Sequence, residues 1–141
     1  PPSPRIVTSS GCFDPDIASN GSGFGFVSHR RAGDNRDVRL LPLEDDLTQS
    51  TSGITVSSSS FAQNQGAHVS WTGSAYRPVW TSDTTGFSWA LLDAAGSSLE
   101  PPRASVGIGT VGNIVSLSEA VFFLRVAGAD EGIYWLQDCP P

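Results

Sequence analysis

Few residues in this chain are equipped for chemistry. There are two histidines, His29 and His68, two cysteines, fourteen carboxylates and an abundance of hydroxyls. A hydrolytic centre needs a nucleophile, a base and an acid to orient the base, and Ser, His and Asp supply those types. No G-x-S-x-G nucleophile elbow occurs. His68 precedes Val69 and Trp71 in a predicted strand, and His29 lies beside Arg30, so both read as surface or interface histidines and no enzyme is expected. Glu44, Asp45 and Asp46 form an acidic run of the kind that holds calcium, but they lack the alternating Asp-x-Asp-x-Asp-Gly spacing of a calcium loop. Gly107, Gly109 and Gly112 match the dinucleotide fingerprint G-x-G-x-x-G, with Asp130 downstream. That fingerprint needs a strand feeding a helix within a large parallel sheet, and too little chain follows to build one. The three glycines are expected to permit bends or a bulge in a β segment. Neither a metal nor a cofactor is expected.

Cys12 and Cys139 stand near opposite ends, far from any CxxC spacing, so a metal site would have to recruit His29 or His68. An end-to-end disulfide is the simpler reading, since closing so long a loop constrains the unfolded chain by roughly 4–5 kcal/mol. Two free buried thiols are the alternative. The sequon Asn20-Gly21-Ser22 marks Asn20 as a glycosylation acceptor and fits the same oxidising compartment. All eight basic residues are Arg, and the formal net charge is −6, which argues against a nucleic-acid partner. The one basic cluster, Arg30, Arg31, Arg36 and Arg39, is interleaved with Asp34 and Asp37 and reads as a solvated loop or edge. No apolar run approaches the about 18 residues of a membrane-spanning helix, so no membrane insertion by this segment is expected.

A chain of 141 residues is near the usual length of one domain and buries roughly 70% of its unfolded surface. Prolines at 1, 2 and 4 and at 140 and 141 give residues 1–8 and 140–141 the look of linkers, and the absence of Met suggests an excised piece. Residues 9–46 are rich in Gly, Asp, Asn and Arg and predict strands joined by long loops, an irregular N-terminal third. From Ile54 onward β-branched and aromatic residues alternate with Ser and Thr at a period of two. Strands are expected at Ile54–Val56, His68–Trp71, Pro78–Trp80, Phe87–Trp89, Ala104–Ile108, Ile114–Leu117, Val121–Val126 and Gly132–Leu136. Ser118 to Leu124 would also make a capped helix, although Val, Phe, Phe and Val suit a pleated surface better. The expected class is all-β: an antiparallel Greek-key sandwich, immunoglobulin-like or jelly-roll-like, with its core in residues 48–138.

Leu124-Arg125-Val126 followed by Asp130-Glu131-Gly132-Ile133-Tyr134 resembles strands E and F of immunoglobulin-like domains, in which an Asp-x-Gly-x-Tyr tyrosine ties back at the corner between strands. Gly53 to Val56 with Ser57, then Val69-Ser70-Trp71, is similar to strands B and C, with Trp71 as the core tryptophan. The resemblance spans about Thr48 to Asp138. It implies a two-sheet sandwich without the family's inter-sheet bridge, because Ser57 and Leu136 stand where its cysteines fall. A Cys12–Cys139 staple would substitute.

Trp71, Tyr76, Trp80 and Trp89 crowd together, and such aromatics serve as core or as binding platforms. Tyr76, Arg77 and Trp80 flank Gly73-Ser74 and Pro78, where a loop or edge is expected, and are the candidate binding residues. The functional expectation is a non-enzymatic recognition domain of a secreted, cell-surface or virion-surface protein, engaging a protein receptor or glycan. The alternative is a structural shell or filament subunit that self-associates into homo-oligomers, for which Val121–Val126 would be an exposed edge template. A small secreted hydrolase built on His68 or His29 ranks third.

Overall fold

The computed structural model describes residues 12–32, 35–57, 64–82, 86–105, 111–116, 120–125 and 132–137. Among them are eleven strands and no helix, so the chain is all-β. A first antiparallel sheet contains β1 (Cys12–Ser19), β2 (Gly23–Ala32), β3 (Asn35–Glu44) and β4 (Ile54–Thr55). A second contains β5 (Asn64–Trp71), β6 (Tyr76–Ser82), β7 (Gly86–Trp89) and β8 (Arg103–Ser105). A third contains β9 (Val111–Ser116), β10 (Ala120–Arg125) and β11 (Gly132–Gln137). Neighbours within each sheet are consecutive strands, so every sheet is a meander. The Greek-key crossing anticipated from the sequence has no counterpart within these sheets.

The N-terminal third is not irregular. It forms β1, β2 and β3, which are 8, 10 and 10 residues long. Its register places Gly25 opposite Pro42, Val27 opposite Leu40, and His29 opposite Val38. All six are buried, forming the inner face of the first sheet. The period-two signal was hidden because that face carries Gly and His as well as Val and Leu, and because turn-forming residues punctuate it.

The inner faces of the first and second sheets close on one core. Val27, Val38, Leu40 and Val56 meet Ala67, Val69, Tyr76, Trp80, Ala90 and Leu92. This is a sandwich arrangement, and residues before position 48 supply much of it. Full burial of each Val or Leu contributes about 1.5–3 kcal/mol. Gly25 is the condition for the tightest approach: a Cβ there would stand 2.6 Å from Cε1 and 2.7 Å from Cδ1 of Tyr76. The first sheet has no side chain at that point because the Tyr76 ring occupies the space.

β6 is the second strand of its sheet, flanked by β5 and β7, and it contains Pro78, a residue expected at edges. Pro78 is tolerated because β7 ends at Trp89. Beyond that end the Pro78 carbonyl accepts the Ala90 N–H at 3.1 Å, and pairing resumes where Tyr76 and Leu92 exchange bonds of 2.8 and 2.9 Å. The missing proline donor falls in the gap between the two.

The immunoglobulin correspondence fails at its C-terminal half. Strands E and F of that family lie in different sheets, whereas β10 and β11 pair directly, with Leu124 opposite Ile133 and Arg125 opposite Gly132. Asp130 lies outside the described residues. Ser57 is buried, and its hydroxyl accepts the Val38 N–H of β3 at 2.7 Å, so it serves the first sheet rather than an inter-sheet bridge.

Gly25→Ala is expected to destabilise the fold by about 1–3 kcal/mol through overpacking against Tyr76. Denaturant titration of Gly25→Ala, Tyr76→Leu and the double variant checks this. The two losses should be markedly less than additive, because Leu at position 76 leaves room for the new methyl.

Candidate functional site

The aromatic strand is interior. Tyr76 is 0% exposed, Arg77 3% and Trp80 4%, so the three candidate binding residues do not form a surface site. Alternation along β6 sends Tyr76, Pro78 and Trp80 to one face and Arg77, Val79 and Thr81 to the other, and both sets are buried. Trp71, expected as the core tryptophan, is only partly buried at the core margin, in edge-to-face contact with Tyr76 (centroids 4.8 Å apart). Among the residues whose burial is described, Trp80 and Trp89 are the buried tryptophans.

His29 is also not a surface residue. It lies fully buried on the inner face of β2. His68 on β5 is partly exposed, with Nδ1 3.4 Å from Oδ2 of Asp16 on β1. The same Asp16 Oδ2 accepts the Val69 N–H at 3.0 Å, and Oδ1 accepts the Ile17 N–H at 2.9 Å. β1 and β5 are terminal strands of their sheets, so one carboxylate joins two sheet edges and satisfies a donor that would otherwise face a missing strand. Burial works to raise the Asp16 pKa. The hydrogen bonds from His68, Val69 and Ile17, with the charge of His68, outweigh it and hold the carboxyl below its usual range. An acid oriented on imidazole Nδ1 is half of a hydrolytic apparatus. Ser70, on the same face of β5, instead donates to the Arg77 carbonyl at 3.5 Å, and among the described residues no hydroxyl is bonded to His68.

The remaining sequence candidates are dispersed. The Glu44–Asp46 run is a tight turn in which Asp46 Oδ1 accepts the Thr48 N–H at 2.8 Å and Leu47 N–H bonds to the Glu44 carbonyl. Among the described residues no group of three or more His, Cys, Asp or Glu is placed to hold a metal ion. The arginine cluster lies on the β2–β3 hairpin, with Arg31 opposite Arg36 and Arg30 opposite Asp37, and the Arg36 guanidinium 5.6 Å from the Phe13 ring centroid. Cys12 sits on β1, and Cys139 lies outside the described residues, as do Gly107 and Gly109; Gly112 is within β9.

A different surface stands out, one not singled out in the sequence. Antiparallel partners project to the same side, so Ile17, Phe26 and Leu41 form a row across β1, β2 and β3 on the outer face of the first sheet. Phe24 lies in the next row, opposite Leu43, which is buried. Ile17 is 49% exposed, and Phe24, Phe26 and Leu41 are half-buried. Beyond this patch the outer face turns polar, with buried Ser28 opposite Arg39, whose Nη2 donates to the Gly53 carbonyl, and exposed Arg30 opposite Asp37. The only sequence trace is Phe24-x-Phe26, a period-two pair that complements Gly25 and Val27 on the inner face.

No known protein family, curated protein or solved structure matches this chain.

Two substitutions test these assignments. Tyr76 is buried, its hydroxyl has no hydrogen-bond partner among the described residues, and burial raises its pKa. Tyr76→Phe should therefore leave stability unchanged or raise it in urea titration, since it removes an unsatisfied polar group. Asp16→Asn should cost about 1 kcal/mol at neutral pH. Because the folded-state pKa of Asp16 is depressed, its contribution is present above the unfolded value of about 3.9 and is lost as pH falls through the lower folded value. Melting curves of wild type and Asp16→Asn should accordingly converge below about pH 4.

Proposed function

We propose that this chain is a non-enzymatic recognition domain that binds a protein partner through the outer face of the first sheet. The observation that carries the reading is that this sheet carries apolar side chains on both faces at the end near the β1–β2 hairpin. Its inner face is consumed by the core, while Ile17, Phe24, Phe26 and Leu41 leave an apolar patch on the other. Sheets with one solvated face ordinarily alternate apolar and polar residues, and contiguous exposed apolar surface marks an interaction site. An apolar centre bordered by Arg39, Arg30 and Asp37 has the composition of a protein interface, with an apolar centre and a polar rim. A protein ligand fits this surface better than a glycan, because the aromatics near position 76 that would have stacked on sugar are buried. Placement on a secreted protein, cell surface or virion is part of the same proposal and rests on the cysteines and the sequon.

The structural-subunit reading loses its basis in the C-terminal strands. Val121–Val126 was its edge template, but β10 pairs with both β9 and β11 and so is not an edge. Self-association through the outer face of the first sheet is the form of that reading with a surface to support it.

Ile17→Glu tests the proposal, with Leu99→Glu as a control at a separate apolar residue that is 58% exposed. Both variants should melt close to wild type, as surface substitutions usually fall within about 0.5 kcal/mol. In a cell-surface and glycan-array screen run beside light scattering, wild type and Leu99→Glu should bind protein and Ile17→Glu should not. Loss of a wild-type oligomer in Ile17→Glu alone would establish the self-associating form. Equal binding by all three would refute the assignment.

A further inference from the structure

We infer that Asn20 is an N-glycosylation site, its side-chain amide accepting an oligosaccharide at the tip of the β1–β2 hairpin. This rests on the turn and its sequon and is independent of the recognition face. β1 ends at Ser19 and β2 begins at Gly23, so the triplet Asn20-Gly21-Ser22 is the whole connection. Ser19, Gly21 and Ser22 are exposed, and Gly21 adopts a left-handed φ of 87°, with no heavy atom within 4 Å of where a Cβ would stand.

The turn is held without the atom that would be modified. Asn20 N–H donates to the Gly23 carbonyl at 3.1 Å, Ser19 Oγ donates to the same carbonyl at 3.2 Å, and Gly21 N–H donates to Ser19 Oγ at 3.1 Å. Ser22 N–H donates to Asn20 Oδ1 at 2.8 Å. Oδ1 is thereby committed, and Nδ2 makes no hydrogen bond among the described residues. Transfer forms a bond from Nδ2 to the anomeric carbon of a polyprenyl-pyrophosphate-linked oligosaccharide. The bond from that carbon to the pyrophosphate oxygen breaks, the pyrophosphate leaves with the electron pair, and Nδ2 gives up one proton. The amide carbonyl is untouched, so the bond from Ser22 survives and the folded turn accommodates the product. A sequon by itself meets only the sequence requirement. Here Asn20, itself partly buried, also sits in a two-strand turn whose flanking positions Ser19, Gly21 and Ser22 are exposed.

The test is to express the full chain behind a secretion signal in eukaryotic cells and measure intact mass before and after peptide-N-glycosidase treatment, in both medium and lysate. Wild type should lose the mass of one oligosaccharide and show a deamidated Asn20 in the peptide map. Ser22→Thr should be occupied at least as fully, and Ile17→Glu equally. Asn20→Gln and Ser22→Ala should show no change. Absence of glycan from both wild type and Ser22→Thr would overturn the inference, as would a persistent mass change in Asn20→Gln.

Discussion

The sandwich depends on a ring seated against a backbone. Tyr76 projects from β6 onto the first sheet at Gly25, where any side chain would collide with it. This contact sets how near the two sheets approach, and the surrounding Val27, Leu40, Val69 and Trp80 pack at the spacing it permits. The buried tyrosine hydroxyl is a cost accepted at that position. Close packing makes such an arrangement sensitive to a single methyl in either direction.

A second constraint acts at the sheet margins. Terminal strands present unpaired backbone donors, and β1 and β5 are both terminal. Asp16 resolves part of this by reaching from one to the other. Its own strand is broken by a register shift between Phe13 and Asp16, which lets the carboxylate turn toward Val69 and His68. The imidazole–carboxylate pair, which has the look of catalytic machinery, is thus explained by its position as a tie between sheets.

With β6 interior, the recognition function proposed above rests on the outer face of the first sheet. β2 and β3 alternate with apolar groups on both faces, and one face alone is spent on the core. At one end of that sheet stands the Asn20 turn, at the other the arginine-bearing β2–β3 hairpin, with the Ile17, Phe26 and Leu41 row between them. This is the arrangement from which the recognition reading follows.

The strand character of the chain after Ile54 was legible because β-branched and aromatic residues have few other uses, as in β6, β7, β9, β10 and β11, whereas β8, Arg-Ala-Ser, carries none of them. β10 is a strand rather than a helix for the same reason. The first three strands were obscured by glycine, whose meaning in Gly25 depends on a tyrosine fifty-one residues away (76 − 25). Likewise, the sequence around Tyr76, Arg77 and Trp80 carries the local signs of an edge, and only the central place of β6 and the packing against its faces bury them. The tie made by Asp16 had no local signal, since Val69 and His68 come from β5. Side-chain periodicity is a local property and could be read from the chain. Which strand is central, which glycine makes room and which face is left exposed are set by long-range pairing, and only the tertiary structure decided them.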